Sequence, residues 1–303
     1  MNILDEYSIK ALIRAGKIAR EIVKYLEKLI KPGVRLLDIA INIENKIKEQ
    51  GGEPAFPVNI GINEVAAHYT PLFNDESVIP DNSVVKVDIG VHVDGYIADT
   101  AITVSFNPVL EGLVEASRTA LEKALELIKP GIKVYEIGKI IEDTIRAAGF
   151  KVIKNLSGHS MDRYIIHSGM VIPNHKDVLA RDRLKTGVYA IEPFATTGIG
   201  LVKESSLISI YALRDIKKKA VLPPQARSLY DNIYNARKTL PFTDRWYIGV
   251  LDSVDNIRTA LYYIEKSNGL VKYPVLIERS RGFVSQFEHT IVVWGKEVIV
   301  TTS

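Results

Sequence analysis

The chain has 303 residues, of which 47% are hydrophobic and 25% charged, and a net charge of +3. Such a composition is typical of a globular protein with one large core or two smaller ones, and the small net charge does not indicate nucleic acid as a main partner. No apolar run is long enough to span a membrane, and the first residues do not have the pattern of a signal peptide. We therefore expect a cytoplasmic protein without a membrane partner. Because the chain has no cysteine, any metal must be held by His, Asp and Glu.

An internal duplication organises the first half of the chain. Residues 30–39 are echoed in register by residues 128–137, and Gly51 corresponds to Gly149. In each copy an amphipathic helix is stopped by Lys-Pro-Gly, and a second helix and strands follow. The unit of helix, turn, helix and strands is thus used twice, and two such halves facing each other would share a site. The predicted apolar stripes are Ile9, Leu12, Ile13, Gly16, Ala19, Ile22, Val23, Leu26 and Ile30 in the first copy, and Leu113, Ala116, Ala120, Leu121, Ala124, Leu127 and Ile128 in the second.

A hairpin is predicted over residues 84–104, which are rich in β-branched residues and fold back at Asp94-Gly95. Asp-Gly is typical of a two-residue type I′ turn, because both positions need φ > 0. This loop places Asp88 opposite Ala101 and Asp99 opposite Gly90, so that both carboxylates project from one face. Two acids side by side in an apolar sheet indicate a cation between them, for which a pair of divalent metals is the natural candidate. Two solvated acids on an open sheet face are the alternative.

Further candidate ligands follow downstream. His159 lies among small residues, Glu192 follows an apolar strand, and Glu288 lies within an apolar segment. Each glutamate by itself is more often structural, but two Asp, one His and two Glu on strands or strand ends form a set. Carboxylates with a single imidazole suit Mn, Fe or Co, and Zn is compatible. Bridging carboxylates can hold two such ions about 3.5–4 Å apart, with a hydroxide between them as nucleophile.

Eight short motifs are spread along the chain: Ala55-Phe-Pro-Val-Asn, Asn63-Glu-Val-Ala-Ala-His-Tyr-Thr-Pro71, Val87-Asp-Ile-Gly, Asp94-Gly-Tyr-Ile-Ala-Asp-Thr100, Gly158-His-Ser, Ile166-His-Ser-Gly169, Ile191-Glu-Pro193 and Gln286-Phe-Glu-His-Thr290. Taken together they resemble methionine aminopeptidases, specifically type II, and through them the pita-bread fold shared with prolidase and aminopeptidase P. The resemblance covers nearly the whole chain and implies an α+β pita-bread fold with a pseudo-two-fold repeat. It also implies a metal-dependent hydrolase that removes the initiator methionine from nascent proteins with a small second residue.

The resemblance implies a ligand set for two divalent ions. Asp88 would chelate one ion, Asp99 and Glu288 would bridge both, and His159 and Glu192 would hold the other. Glu192 would also accept a proton from the water that attacks the scissile carbonyl.

Substrate contacts are implied in the same way. His68 and His167 would hydrogen-bond the substrate, with His167 helping to stabilise the tetrahedral oxyanion. Phe56 and Ile166 would line an apolar pocket for the methionine side chain, and Thr100 would support the metal carboxylates. For the other histidines, His92, His175 and His289, we expect a surface or packing role, with His289 pointing away from Glu288.

Between Glu192 and Glu288 the chain is longer than a strand return requires. We expect helices around 226–240 and 254–266 in a small inserted subdomain at 205–270, and a catalytic domain formed by 1–204 and 271–303. Such an insertion separates type II from type I methionine aminopeptidases. A ribosomal or RNA contact is one reading of its basic residues, and a solvated helical face explains them equally well. These residues are Lys217, Lys218, Lys219, Arg227, Arg237 and Lys238.

Two other functions stay open at this point. A proline-directed peptidase of the same fold is one, although those relatives usually carry a sizeable extra N-terminal domain. A non-catalytic binding protein of the same fold is the other, and the intact ligand set argues against it. A monomer is expected, as in the family.

Overall fold

The computed structural model describes residues 4–214 and 222–303. Its helices are α1 (Glu6–Leu29), α2 (Leu36–Glu49), α3 (Glu111–Leu127), α4 (Val134–Ala147), α5 (Pro224–Arg237) and α6 (Val254–Lys266). Its strands are β1 (Glu53–Pro54), β2 (Asn59–Ile62), β3 (Val65–Ala67), β4 (Val84–Val93), β5 (Tyr96–Ser105), β6 (Lys151–Val152), β7 (Ser157–Met161), β8 (Val171–Pro173), β9 (Gly187–Ile191), β10 (Phe194–Thr196), β11 (Val202–Leu213), β12 (Leu270–Glu278), β13 (Val284–Gln286), β14 (His289–Trp294) and β15 (Glu297–Val300).

The predicted duplication is confirmed. In both copies the first helix ends one residue before an isoleucine, Ile30 or Ile128, which donates its N–H to the last turn. Glycines with positive φ then turn the chain, at 82° for Gly33 and 84° for Gly131. The second helix of each pair is followed by a further glycine in the left-handed region. Since only glycine adopts this conformation without strain, the repeated Lys-Pro-Gly and Gly positions produce two equivalent helix pairs.

Two residues of the predicted apolar stripes are exposed, which corrects the sequence prediction. Ile13 is 47% and Leu127 is 39% exposed. The buried face of α1 is centred on Ala15, Ala19 and Ile22, and Ile13 lies outside that arc because consecutive helical residues are about 100° apart. Leu127 is the last residue of α3.

The β4–β5 hairpin has the predicted register. Asp88 pairs with Ala101 and Gly90 pairs with Asp99. Asp94 and Gly95 at the turn have φ values of 52° and 86°, as a type I′ turn requires. The Asp-Gly turn therefore sets the pairing register, and the register determines which residues share a face along the whole hairpin.

The two halves of the fold meet where β5 approaches the segment between β13 and β14. β5 belongs to a four-stranded sheet with β1, β4 and β2, and β14 belongs to a five-stranded sheet in the order β15-β14-β9-β7-β8. An isolated bridge joins Ala101 to Glu288, whose N–H donates to the Ala101 carbonyl over 3.1 Å. The predicted acids therefore converge at a junction of separate sheets rather than within one of them.

The insertion contains the two expected helices, α5 and α6, with an apolar core of its own that includes Leu229, Tyr230, Ile257 and Ile264. Its ends, however, are strands: β11 and β12 pair along most of their length and cross the boundaries placed at 204/205 and 270/271. β12 in turn pairs with β3 of the first half. The division into 1–204 with 271–303 and 205–270 stays a prediction.

The basic residues of the insertion do not form a common solvated face in the described part of the chain. Lys217, Lys218 and Lys219 lie outside the described residues. Arg237 is 7% exposed and binds main-chain carbonyls, so it is wrongly counted as a surface charge. Of the remaining two, Arg227 pairs with Asp231 and the Lys238 ammonium lies over the Tyr234 ring.

Within residues 4–214 and 222–303, every helix is too short or too polar to cross a membrane.

Candidate metal centre and its cavity

A cavity of about 370 Å³ lies between the two halves, and every residue implied as a metal ligand or substrate contact, except Thr100, lines it. Polar groups cluster at one part of the cavity and apolar side chains cover much of the rest. This combination is typical of ligand sites. The lining residues are Phe56, Asn59, Ala67, His68, Asp88, Asp99, Asn155, Leu156, Ser157, His159, Ile166, His167, Gly169, Met170, Val171, Glu192, Phe194, Ile210, Pro241, Tyr273, Gln286 and Glu288.

The polar cluster brings together the predicted ligands from separate strands. Asp99, His159 and Glu288 are buried, and each offers a ligand atom within 4.8 Å of the other two. The Nε2 atom of His159 lies 3.7 Å from Oδ2 of Asp99 and 3.5 Å from Oε1 of Glu192. Asp88 completes the cluster, because its carboxyl group interacts with that of Asp99, and this confirms that the two hairpin acids share a face.

As long as no cation is bound, burial favours the neutral form of the acids in the cluster over the ionised form. Burial raises the pKa of Asp88 to about 7. The pKa values of Asp99, Glu192 and Glu288 are also raised, first by burial and then by the neighbouring carboxylates. The His159 imidazole cannot supply the missing positive charge, because burial lowers its pKa to about 3. The cluster is therefore strongly anionic when its acids are ionised, and it contains a neutral imidazole.

The donor set fits divalent metal ions. The Oδ1 atoms of Asp88 and Asp99 are buried without a hydrogen-bond partner in the described structure, a costly arrangement unless another group satisfies them. Carboxylate oxygens and one neutral imidazole nitrogen match hard to borderline divalent ions. Bound cations would also offset the repulsion among the acids.

The two histidines expected at the substrate lie beside the cluster. His167 is an exposed residue of the cavity lining, with its ring 4.4 Å from that of His159. His68 directs Nδ1 to the Pro274 carbonyl oxygen over 3.3 Å. Since a carbonyl can only accept, Nδ1 carries a proton, which makes Nε2 of neutral His68 an acceptor. Tyr273 packs edge-on against His68 at 5.4 Å between ring centroids.

The apolar residues expected at the methionine pocket also line the cavity. Phe56 and Ile166 are each 7% exposed and belong to one apolar cluster, together with Leu240 of the insertion. Thr100 lies elsewhere: it points away from the cavity, and its hydroxyl donates to the main-chain carbonyl of Glu288 over 2.7 Å. Thr100 therefore contacts the backbone of an expected ligand rather than a carboxylate.

Gln286 is a residue that the sequence reasoning missed. It is 1% exposed, and its amide donates to Oε2 of Glu288 over 3.2 Å. The same side chain interacts with Asp88 and lowers the pKa of that carboxyl group against the larger effect of burial. Thr103 fixes its backbone through two hydrogen bonds. The spacing in the sequence could have indicated this contact, because Gln286 stands two positions before Glu288 and alternate residues of an extended chain share a face.

The remaining histidines lie away from the lining of this cavity. His92 is buried, and its Nδ1 accepts from the Gly95 N–H at the hairpin turn. His289 contacts Thr302 through Nδ1 over 2.8 Å, on the side of the strand opposite to the cluster. His175 is half-buried in the loop after β8.

The duplicated helix pairs and the carboxylate–imidazole cluster between them define the class of pita-bread metallopeptidases. Residues 10–293 match the model of Metallopeptidase family M24, and the chain belongs to this family.

Individual relatives agree with this assignment. A protein named methionine aminopeptidase from Pyrococcus abyssi is 48% identical over 297 residues, which cover 97% of this chain and 99% of that protein. The crystal structure of methionine aminopeptidase from Thermotoga maritima matches with a TM-score of 0.72 at 22% identity, covering 100% and 99% of the two chains. The structure of a thermophilic Arx1 has a TM-score of 0.85 at 17% identity and coverages of 99% and 91%. The two structural matches show the pita-bread fold alone.

Proposed function

We propose that this protein is a methionyl aminopeptidase that removes the initiator methionine from nascent proteins and peptides with a small second residue. The observation that carries the proposal is the convergence of Asp88, Asp99, His159, Glu192 and Glu288 in one cavity that also has an apolar part. The methionine aminopeptidases to which the chain is similar over nearly its full length support the same activity.

The proposed centre would hold two divalent ions, Co, Mn, Fe or Zn. Asp88 would bind one ion, His159 and Glu192 the other, and Asp99 and Glu288 would bridge them. When bound, such ions act as Lewis acids and promote the deprotonation of water.

The chain's own groups would supply the proton transfer and the hydrogen bonds. Glu192 lies at the cavity wall, where its carboxylate would accept the proton from the water that attacks the first peptide bond. His167 would donate to the carbonyl oxygen as negative charge develops there. His68, with Nδ1 bound to the Pro274 carbonyl, has Nε2 free to accept a substrate N–H. These contacts orient the scissile bond against the carboxylates.

The apolar wall would select the first residue of the substrate. Phe56 and Ile166 are nearly buried and border the same cavity, so a methionine side chain that enters there exchanges water for apolar contacts. A narrow space beyond the scissile bond would exclude a large second residue.

Peptide hydrolysis by chelator-stripped protein, before and after addition of Co²⁺ or Mn²⁺, tests the proposal. We expect metal-restored release of free methionine from Met-Ala-Ser. Faster cleavage of an Xaa-Pro peptide would favour the proline-directed alternative. Failure to cleave either peptide with any divalent ion, in a folded sample, would favour the non-catalytic binding protein.

The substrates of this activity would be the N-termini of nascent polypeptides in the cytoplasm. A monomer is the proposed state, and gel filtration checks it. A ribosome contact through the insertion stays a prediction, which co-sedimentation of wild-type protein with ribosomes tests directly.

A further inference from the structure

Arg237 links the insertion to the first half of the fold from a buried position. It is the last residue of α5, and its Nη2 atom donates to the carbonyl oxygens of Pro54 and Ala55 over 2.7 and 3.1 Å. The same guanidinium donates to the Pro241 carbonyl from Nη2 over 3.0 Å and from Nε over 3.3 Å. A single side chain therefore gathers backbone oxygens from two segments that are far apart in sequence.

Both segments continue into the cavity wall. Ala55 is followed by Phe56, and Pro241 itself lines the cavity. Leu240, next to Pro241, belongs to the apolar cluster of Phe56 and Ile166. The guanidinium fixes the spacing between the Ala55 and Pro241 carbonyls. That spacing is therefore coupled to the relative positions of the apolar side chains that follow these carbonyls into the cavity lining.

The guanidinium is itself held in place. Its Cζ atom lies 4.5 Å from the centroid of the Trp246 ring, a cation–π contact. The indole N–H of Trp246 donates to Oε2 of Glu44 over 2.8 Å. Glu44 also forms a two-pronged pair with Arg245, with N–O distances of 2.7 and 2.5 Å. Because this planar donor fork is fixed by stacking, it can define a distance between its acceptors more strictly than a flexible ammonium could.

We propose that Arg237 is a positioning residue that sets the width of the apolar part of the cavity and so determines selectivity for the first side chain of the substrate. The inference rests on the proposed function, since it concerns the same cavity. Arg237 acts through Phe56 and Pro241, because its hydrogen bonds go to the main-chain carbonyls of Pro54, Ala55 and Pro241. An arginine of the insertion would thus tune which side chain the catalytic domain accepts.

Selectivity between methionine and its longer homologue ethionine tests this role. The measured quantity is the ratio of kcat/KM for Met-Ala-Ser to that for ethionyl-Ala-Ser, in Mn²⁺-loaded wild type and Arg237→Lys. Lysine keeps the charge but cannot bond several carbonyls in one plane. We expect the ratio to fall about tenfold, the scale of one methylene in an apolar pocket, mainly through KM. Calorimetric Mn²⁺ affinity should match that of wild type.

Arg227→Lys is the matched control, because Arg227 lies on the same helix as Arg237 but pairs with Asp231 at the surface, with 56% of its side chain exposed. The proposal is supported if only Arg237→Lys changes the ratio. It is overturned if Arg237→Lys leaves the ratio within about twofold of wild type, if both peptides lose activity equally, or if Arg227→Lys changes the ratio as much.

Calorimetric binding of L-methionine and L-ethionine to the same Mn²⁺-loaded proteins separates this inference from the proposed function. A wild type that binds methionine in preference to ethionine but cleaves neither peptide contradicts the proposed function only. A variant that retains the wild-type preference in binding contradicts the role of Arg237, whether or not the peptides are cleaved.

Discussion

The side-chain amide of Gln286 donates a hydrogen bond to Oε2 of Glu288 over 3.2 Å, and it also interacts with the carboxyl group of Asp88, where it lowers the pKa against the larger effect of burial. Asp88 lies on β4, whereas Glu288 lies between β13 and β14. A neutral amide thus joins two acids from opposite halves of the fold. With its backbone bound to Thr103, Gln286 can keep both carboxylates in place before a cation binds.

We expect Gln286→Leu to weaken divalent-metal binding by about 10–100-fold, the usual effect of losing a group that orients metal ligands. Calorimetric titration of Mn²⁺ into chelator-stripped protein measures this. Asn155→Ala is the control, because Asn155 lines the same cavity but bonds the backbone of Val202. Equal losses of affinity in the two variants would show that Gln286 has no special part in the centre.

Asp88 should make the metal-free protein less stable as pH rises. Its folded-state pKa of about 7 is above the ordinary value of 3.8, so its contribution to stability is present below about pH 4 and is lost on the way to about pH 7. Asp88→Asn removes this titration. In excess chelator, the Tm of the variant should therefore rise relative to that of wild type as the pH is increased from about 4 to about 7. A difference that is constant with pH would contradict the raised pKa.

Asp99→Asn should abolish peptidase activity while the fold is retained. The substitution keeps the shape of the side chain but removes one negative charge from the centre of the cluster, where Asp99 approaches His159. Activity against Met-Ala-Ser and the circular dichroism spectrum are the measurements. Activity near that of wild type at saturating Mn²⁺ would rule out Asp99 as an essential bridging group.

His167→Ala should lower kcat by about 10²–10³-fold, the scale of losing one donor to an oxyanion. The metal content should stay the same, because His167 is expected to contact the substrate rather than the ions. Steady-state kinetics and elemental analysis of the loaded protein measure the two quantities. A fall in bound metal would instead make His167 a ligand.

Arg245→Met should lower the free energy of unfolding by about 3–5 kcal/mol, as expected when a buried ion pair loses one partner. Both side chains of the Arg245–Glu44 pair are 6% exposed. Arg281→Met is the control, since Arg281 is 61% exposed in its pair with Glu64. This substitution should lower the free energy of unfolding by less than about 1 kcal/mol. Urea denaturation measures both, and similar small losses would mean that the buried pair does not stabilise the insertion.

Local chemistry explains the elements that could be predicted. The Asp94-Gly95 turn defines the hairpin register, and with it the shared face of Asp88 and Asp99, because pairing and alternation propagate from the turn. The repeated Lys-Pro-Gly segments end two helices in the same way. The hairpin register and the duplication are confirmed by the structure. The fold class came from motif resemblance, and structural matches confirm it.

Other features depend on how distant segments pack. The exposure of Ile13 follows from which arc of α1 is covered, and the amide of Gln286 reaches Asp88 only because two sheets meet at Ala101 and Glu288. The sequence predicts that Arg237 is a surface charge, yet it is buried against the carbonyls of residues 54 and 55. Neither periodicity nor turn chemistry contains this information.

The sequence by itself therefore determined the repeated helix pairs, the hairpin register and the residue types available to a metal centre, since each follows from neighbours along the chain. Only the tertiary structure decided that the insertion forms part of the cavity wall and that Arg237 and Gln286 adjoin the candidate site. The contacts of Arg237 with Pro54 and of Gln286 with Thr103 each join residues 183 positions apart, and their existence depends on burial, which packing of the whole molecule sets.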